Sequence, residues 1–168
     1  MEDMYNLVKD FFSHDMDLDD LFDSETIIWI DWREYNEDVV HYFNDMMDES
    51  IDIQTVSNGK PYGDDIVLKK GDKELLIPYG DEQDRDVTIR YFNDFVQPDY
   101  EVRWFLESLG NDTLGFTVLS GAEWANLEDE FGADTVRYYF EPINLESNMF
   151  NLSMSEVSTL LELRKNKR

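Results

Sequence analysis

The chain has 168 residues, 39 Asp and Glu against 14 Lys and Arg, a formal net charge of −25 and no cysteine. Disulfides, zinc–thiolate sites and cysteine nucleophiles are excluded, and direct contact with nucleic acid or an anionic bilayer is disfavoured because Lys and Arg make those contacts. An apolar fraction of 42%, with 14% aromatics, still supplies a core for one domain over residues 1–168, so the acidity does not signal disorder.

Residues 2–12 predict an amphipathic helix with Tyr5, Val8 and Phe12 on one face. His14 to Ser24 is acidic, interrupted by Leu18, Leu21 and Phe22, and predicts a second short helix. Thr26 to Trp32 is β-branched and aromatic, hence a strand. Over residues 35–49, Val39, Val40, Phe43, Met46 and Met47 form a core stripe, with Glu37, His41, Asp45 and Asp48 on the opposite face. Ile51 to Val56 alternates as a strand does, and Asn58-Gly59-Lys60-Pro61 reads as a turn. Ile66–Leu68 and Leu75–Ile77 flank Lys69, Lys70, Gly71, Asp72 and Lys73 as a hairpin, the lysines protecting its edge.

Residues 84–96 suit either period, but a polar start and Pro98 at the end favour a helix. Tyr100–Leu106 and Thr113–Leu119 predict two strands joined through Gly110, Asn111 and Asp112. Ser120 with Glu123, and Ser153 with Glu156, match the capping-box pattern and open two helices. Gly132 ends the first, and residues 133–140 predict a further helical turn or two. The order, roughly α-β-α-β-β-β-α-β-β-α-α, predicts a single α+β domain: an antiparallel or mixed sheet of about five to six short strands covered by helices. The basic end, 164–168, is expected to fray. The acidic start and the lack of any apolar run near 18 residues predict neither a secretory signal nor a membrane span, and the absence of cysteine fits a reducing, cytoplasmic setting.

No phosphate loop, nucleophile elbow or distinctive carboxylate pair stands out, so no catalytic residue and no cofactor are assigned. Asp15, Asp17, Asp19 and Asp23 fall at the oxygen-ligand positions of a calcium loop, but Asp20 replaces the required Gly and Thr26 the closing Glu. A calcium-binding module or carboxylate-dependent enzyme is therefore a subordinate alternative. Trp29 and Trp124 read as core. His41 reads as a surface residue in an acidic field, with a pH-sensitive contact as the functional alternative. Brine adaptation also raises acid content, but 11 Phe, 9 Tyr, 7 Met and 4 Trp argue against it.

The charge is uneven, with 17 acids and 2 bases, Lys9 and Arg33, in residues 1–59. A body of this length is about 40 Å across. Duplex DNA carries one charge per roughly 1.7 Å, so one face could imitate about ten base pairs. Such a surplus speeds encounters with a basic protein, whether a toxin or a nucleic-acid enzyme. The steering field is assigned to Asp15, Asp17, Asp19, Asp20, Asp23, Glu37, Asp38, Asp45 and Asp48, and the contact anchors to Trp32 and Tyr35, flanked by Asp31 and Glu34, since Trp and Tyr dominate interface hot spots; His41 completes the partner-binding set.

Leu119-Ser120-Gly121-Ala122-Glu123-Trp124-Ala125-Asn126-Leu127-Glu128, then Phe131-Gly132, Val136 and Tyr139-Phe140, resembles the ending of small bacterial immunity proteins of polymorphic and contact-dependent toxin systems. The resemblance is confined to the C-terminal half. It implies an intracellular inhibitor of a cognate toxin; the inhibitor is expected to be a monomer or homodimer that occludes its target. It carries over no functional residue. A DNA-mimicking inhibitor of a host defence nuclease is the alternative, and it requires carboxylates in rows along one ridge.

Overall fold

The computed structural model describes residues 4–31, 33–59, 64–79 and 84–167. In chain order these form α1 (Met4–Phe12), α2 (Leu18–Phe22), β1 (Ile28–Asp31), α3 (Asn36–Asp45), β2 (Asp52–Ser57), β3 (Asp64–Lys70), β4 (Lys73–Leu76), α4 (Arg85–Val96), β5 (Tyr100–Phe105), β6 (Thr113–Ser120), α5 (Gly121–Phe131), α6 (Ala133–Tyr139), β7 (Phe140–Pro142) and α7 (Met154–Lys167). The fold is α+β, as its element order implies. Its strands divide between two antiparallel sheets, β1-β6-β5-β7 and β2-β3-β4, where a single sheet of five to six was expected. The second sheet is a local meander, and α4 carries the chain from it to β5.

Local chemistry sets the boundaries. Residues 84–96 are helical, and Asp84 caps them by accepting from the amides of Asp86 (2.8 Å) and Val87 (3.4 Å). Both capping boxes form: Ser120 and Glu123 exchange bonds of 3.0 and 3.1 Å, Ser153 and Glu156 bonds of 3.2 and 3.1 Å. The chain leaves α6 at Tyr139, and Phe140–Pro142 adds an edge strand to β5. Gly71 turns the β3–β4 hairpin at φ +59°. The hairpin lysines brace the fold as well as the edge: Lys70 reaches Glu49 (3.7 Å) and Asp99 (3.3 Å), and Lys73 donates to the Phe95 carbonyl. Of the turn expected at 58–61, Gly59 has φ +72°, while Lys60 and Pro61 lie outside the described residues.

The four-stranded sheet separates two apolar layers. Along β6, Leu114, Phe116 and Val118 face one layer, with α3, α4 and the second sheet. Leu119, with Phe105 of the adjacent β5, faces the other, with α1, α2, α5 and α6. Phe43, Phe92 and Phe116 are fully buried and pack at ring separations of 5.5 and 5.9 Å. Each such phenylalanine contributes about 1.5–3 kcal/mol by burial. Trp124 and Trp104 are core, and Trp29 is half-buried against Phe22. At Gly115 a Cβ would stand 2.7 Å from Ile27, so the sheet can accept the β1 approach only with glycine there.

Buried polar groups tie residues 143–151 to α4. Asn93 donates to the Ile143 carbonyl and accepts from the Val102 amide, each at 2.8 Å. Asp86, fully buried, accepts from the amides of Met149 (3.0 Å), Phe150 (2.8 Å) and Asn151 (3.0 Å). The basic end expected to fray is helical through Lys167. Arg164 is held by the Tyr138 carbonyl and by Glu107 at 2.6 Å; Arg168 lies outside the described residues.

Candidate partner-binding surface

Asp15, Asp17, Asp19, Asp20 and Asp23 gather on and around α2, all exposed. Leu21, fully buried, and Phe22, stacked on Trp29 at 5.4 Å, anchor the short helix and turn its carboxylates outward. Trp29 fixes that contact by donating to the Phe22 carbonyl at 3.3 Å. Asp17 caps the helix, accepting from the Asp20 amide at 2.8 Å. The crowding registers on Asp20. The charge of Asp17, then desolvation, then its hydrogen bond with Asp17 and the charges of Asp19 and Asp23, push its carboxyl above the usual range.

The second group lies at β1 and α3. Glu37, His41 and Asp45 are exposed on α3 and Asp38 is half-buried. α3 ends at Asp45, so Asp48 stands beyond the helix, also exposed. Tyr35 precedes the helix and keeps 79% of its surface in solvent. Trp32, the other assigned anchor, lies outside the described residues. Tyr42, which the sequence reading passed over, is 39% exposed and donates to Glu34 at 3.4 Å. Its signal was its place off the Val39–Val40–Phe43 stripe, seven residues after Tyr35. Desolvation, then the charges of Glu34 and Asp38, push its phenol upward.

Asp31 differs from the rest. The Arg33 amide (2.9 Å) and guanidinium (3.3 Å to each oxygen) satisfy it, and those hydrogen bonds hold its carboxyl below the usual range. Its charge is neutralised locally, so it adds little to a steering field. Arg85 donates to the Glu34 carbonyl and lies over Phe150 at 5.3 Å, tying the turn before α3 to α4.

The assigned residues do not share one face. α2 packs with the layer of Phe105 and Trp124, α3 with the layer of Phe116 and Phe92, and the four-stranded sheet runs between them. In the chain the two acidic groups flank β1, an edge strand. A cleft of about 980 Å³ lies between α6, β7 and α7 and two smaller ones border α4; the assigned residues that the structure describes line none of these three. Among the described residues, no three His, Asp or Glu side chains converge to hold a metal ion, and no helix is long and apolar enough to cross a membrane. No family model, no curated protein and no solved structure matches the chain.

Proposed function

We propose that the chain is an acidic binding protein that docks on a basic protein and blocks it sterically, in the manner of an immunity protein neutralising a cognate bacterial toxin. A nuclease-type toxin is favoured, because such enzymes carry positive charge for their own substrate. The reading places the complex in the cytoplasm, with the inhibitor a monomer or homodimer, no direct nucleic-acid contact and no cofactor.

One observation carries it. Each Lys and Arg side chain described already meets a carboxylate or a backbone carbonyl of this chain. Asp15, Asp19, Asp20, Asp23, Glu37, Asp38, Asp45 and Asp48 form no ion pair among the described residues. A surplus left uncompensated on the surface raises the rate of encounter with a positive partner, while exposed Tyr35 and Tyr42 supply contact area. The division of acids between two layers supports a DNA mimic less, since mimicry needs one ridge.

The test is co-expression with the product of the adjacent reading frame, followed by association kinetics across ionic strength. A one-to-one complex that inhibits that product, with an on-rate falling steeply as salt rises, is expected. No complex even at about 20 mM salt, where surface charges are least screened, overturns the reading.

A further inference from the structure

The four sheet edges are protected unequally. β7 has three residues and ends in Pro142. β4 has four and opens with Lys73 and Glu74. β1 has four, none exposed, and ends in Asp31. Shortness, charge and proline are the usual means of blunting an edge. β2 is the least blunted: it runs six residues, lacks proline, carries its one charge at its first residue, Asp52, and is uncharged from Ile53 through Ser57. Gln54, Thr55, Val56 and Ser57 are exposed, Val56 by 50%.

The ladder gives the direction of its backbone groups. The Ile66 carbonyl accepts from the Ile77 amide at 3.0 Å, so Ile66 turns its polar groups away from β2. Its cross-strand neighbour on β2 is Thr55. In an antiparallel pair a residue's N–H and C=O point the same way, and the direction alternates along the strand. Ile53, Thr55 and Ser57 therefore aim both groups at the open edge, and no backbone partner meets them there among the described residues.

We infer that β2 is a strand-addition site for an extended, basic segment of a partner protein. Charge selects the occupant. Asp48 and Asp52, both exposed, precede the uncharged stretch. Lys69, opposite Asp52, is drawn to Glu74 at 4.0 Å. A second copy of the chain would bring −25 against −25, which opposes self-pairing. The inference rests on the proposed function only for the sign of the partner's charge.

The probe is a capped peptide of about eight residues alternating Lys and Thr, long enough to cover a strand of this length. Amide exchange is followed residue by residue, with an alternating Glu and Thr peptide as control. At saturation the Lys peptide slows exchange at Ile53, Thr55 and Ser57 by about tenfold, and the Glu peptide does not. Thr55→Pro, which removes an outward N–H and no bond to β3, abolishes the effect with its circular dichroism unchanged; the two peptide arms on the parent chain decide the matter if that variant does not fold. Unchanged exchange at the three amides, equal protection by both peptides, or a homodimer with these amides protected and no peptide present each overturns the inference. A Lys peptide that perturbs α2 and α3 but leaves β2 unprotected overturns it while leaving the proposed function standing. β2 protection without any complex with the adjacent gene product sinks only the latter.

Discussion

Around Asp86 and Arg103 the charged groups are withdrawn from solvent and partnered within the chain; along α2 and α3 they are exposed, Asp38 half so, and form no ion pairs among the described residues. Arg103, 4% exposed at its side chain, reaches Glu101 and Glu128 and lies over Trp124 at 4.6 Å. Asp86 holds three consecutive backbone amides. The same carboxylate chemistry thus does two jobs, and burial decides which. A buried carboxylate must be satisfied locally and so becomes part of the fold. An exposed one keeps its field and is available to whatever approaches.

The largest effects follow from emptying the buried sites. Asp86→Ala leaves the Met149, Phe150 and Asn151 amides without their acceptor and should cost about 3–5 kcal/mol in urea denaturation. A loss below about 1 kcal/mol would mean that the segment is held by its apolar contacts alone. Arg103→Met comes next. Glu128 keeps Arg137 at 2.9 Å, but Glu101 loses its bridge and Trp124 its guanidinium. About 2–3 kcal/mol is expected, below the full penalty of a broken buried pair because one carboxylate stays matched.

The same contrast explains what could be read from residues alone. The helices and most strands were legible because periodicity and caps are local: Val39, Val40 and Phe43 mark a stripe, Ser120 and Glu123 a start. β7 was not, because three residues after a helix carry no period, and only pairing with β5 makes them a strand. Asp86 was illegible as well. One acid among 39 looks like the others until the fold brings residues 149–151 against it. The candidate surface was half legible. Sequence marked the acids of α2 and α3, but adjacency in the chain hid their separation by the central sheet. It also hid that Asp31 is neutralised by Arg33 two residues on.

A smaller effect separates the two regions by pH. Burial alone would raise the Glu128 carboxyl, but hydrogen bonds from Arg137 and the charge and hydrogen bonding of Arg103 outweigh it and hold the group below the usual range. Its contribution to stability is therefore complete above the ordinary glutamate value, near about 4.3. It is lost as the pH falls through the lower folded value. Denaturation of the parent and of Glu128→Gln between about pH 5 and pH 2 should converge, the parent losing more. Parallel curves would show that the Arg103 network adds no linkage.

Asp20 should do the reverse, by the least amount. Its carboxyl is raised, first by Asp17, so the folded chain binds that proton more tightly than the unfolded one. The repulsion is complete at neutral pH, where both states are ionised, and is relieved as the pH falls through the raised folded value. Asp20→Asn keeps the backbone amide that Asp17 accepts, so the cap survives and only the charge goes. The variant should be slightly more stable than the parent at pH 7. Its advantage should fade on acidification and shrink in about 1 M salt, where the screening length is near 3 Å. A destabilised variant would place α2 with the buried, structural charges. A stabilised one that associates more slowly with a basic partner would show a carboxylate kept at a cost to the fold, which is what separates the exposed acids from those around Asp86.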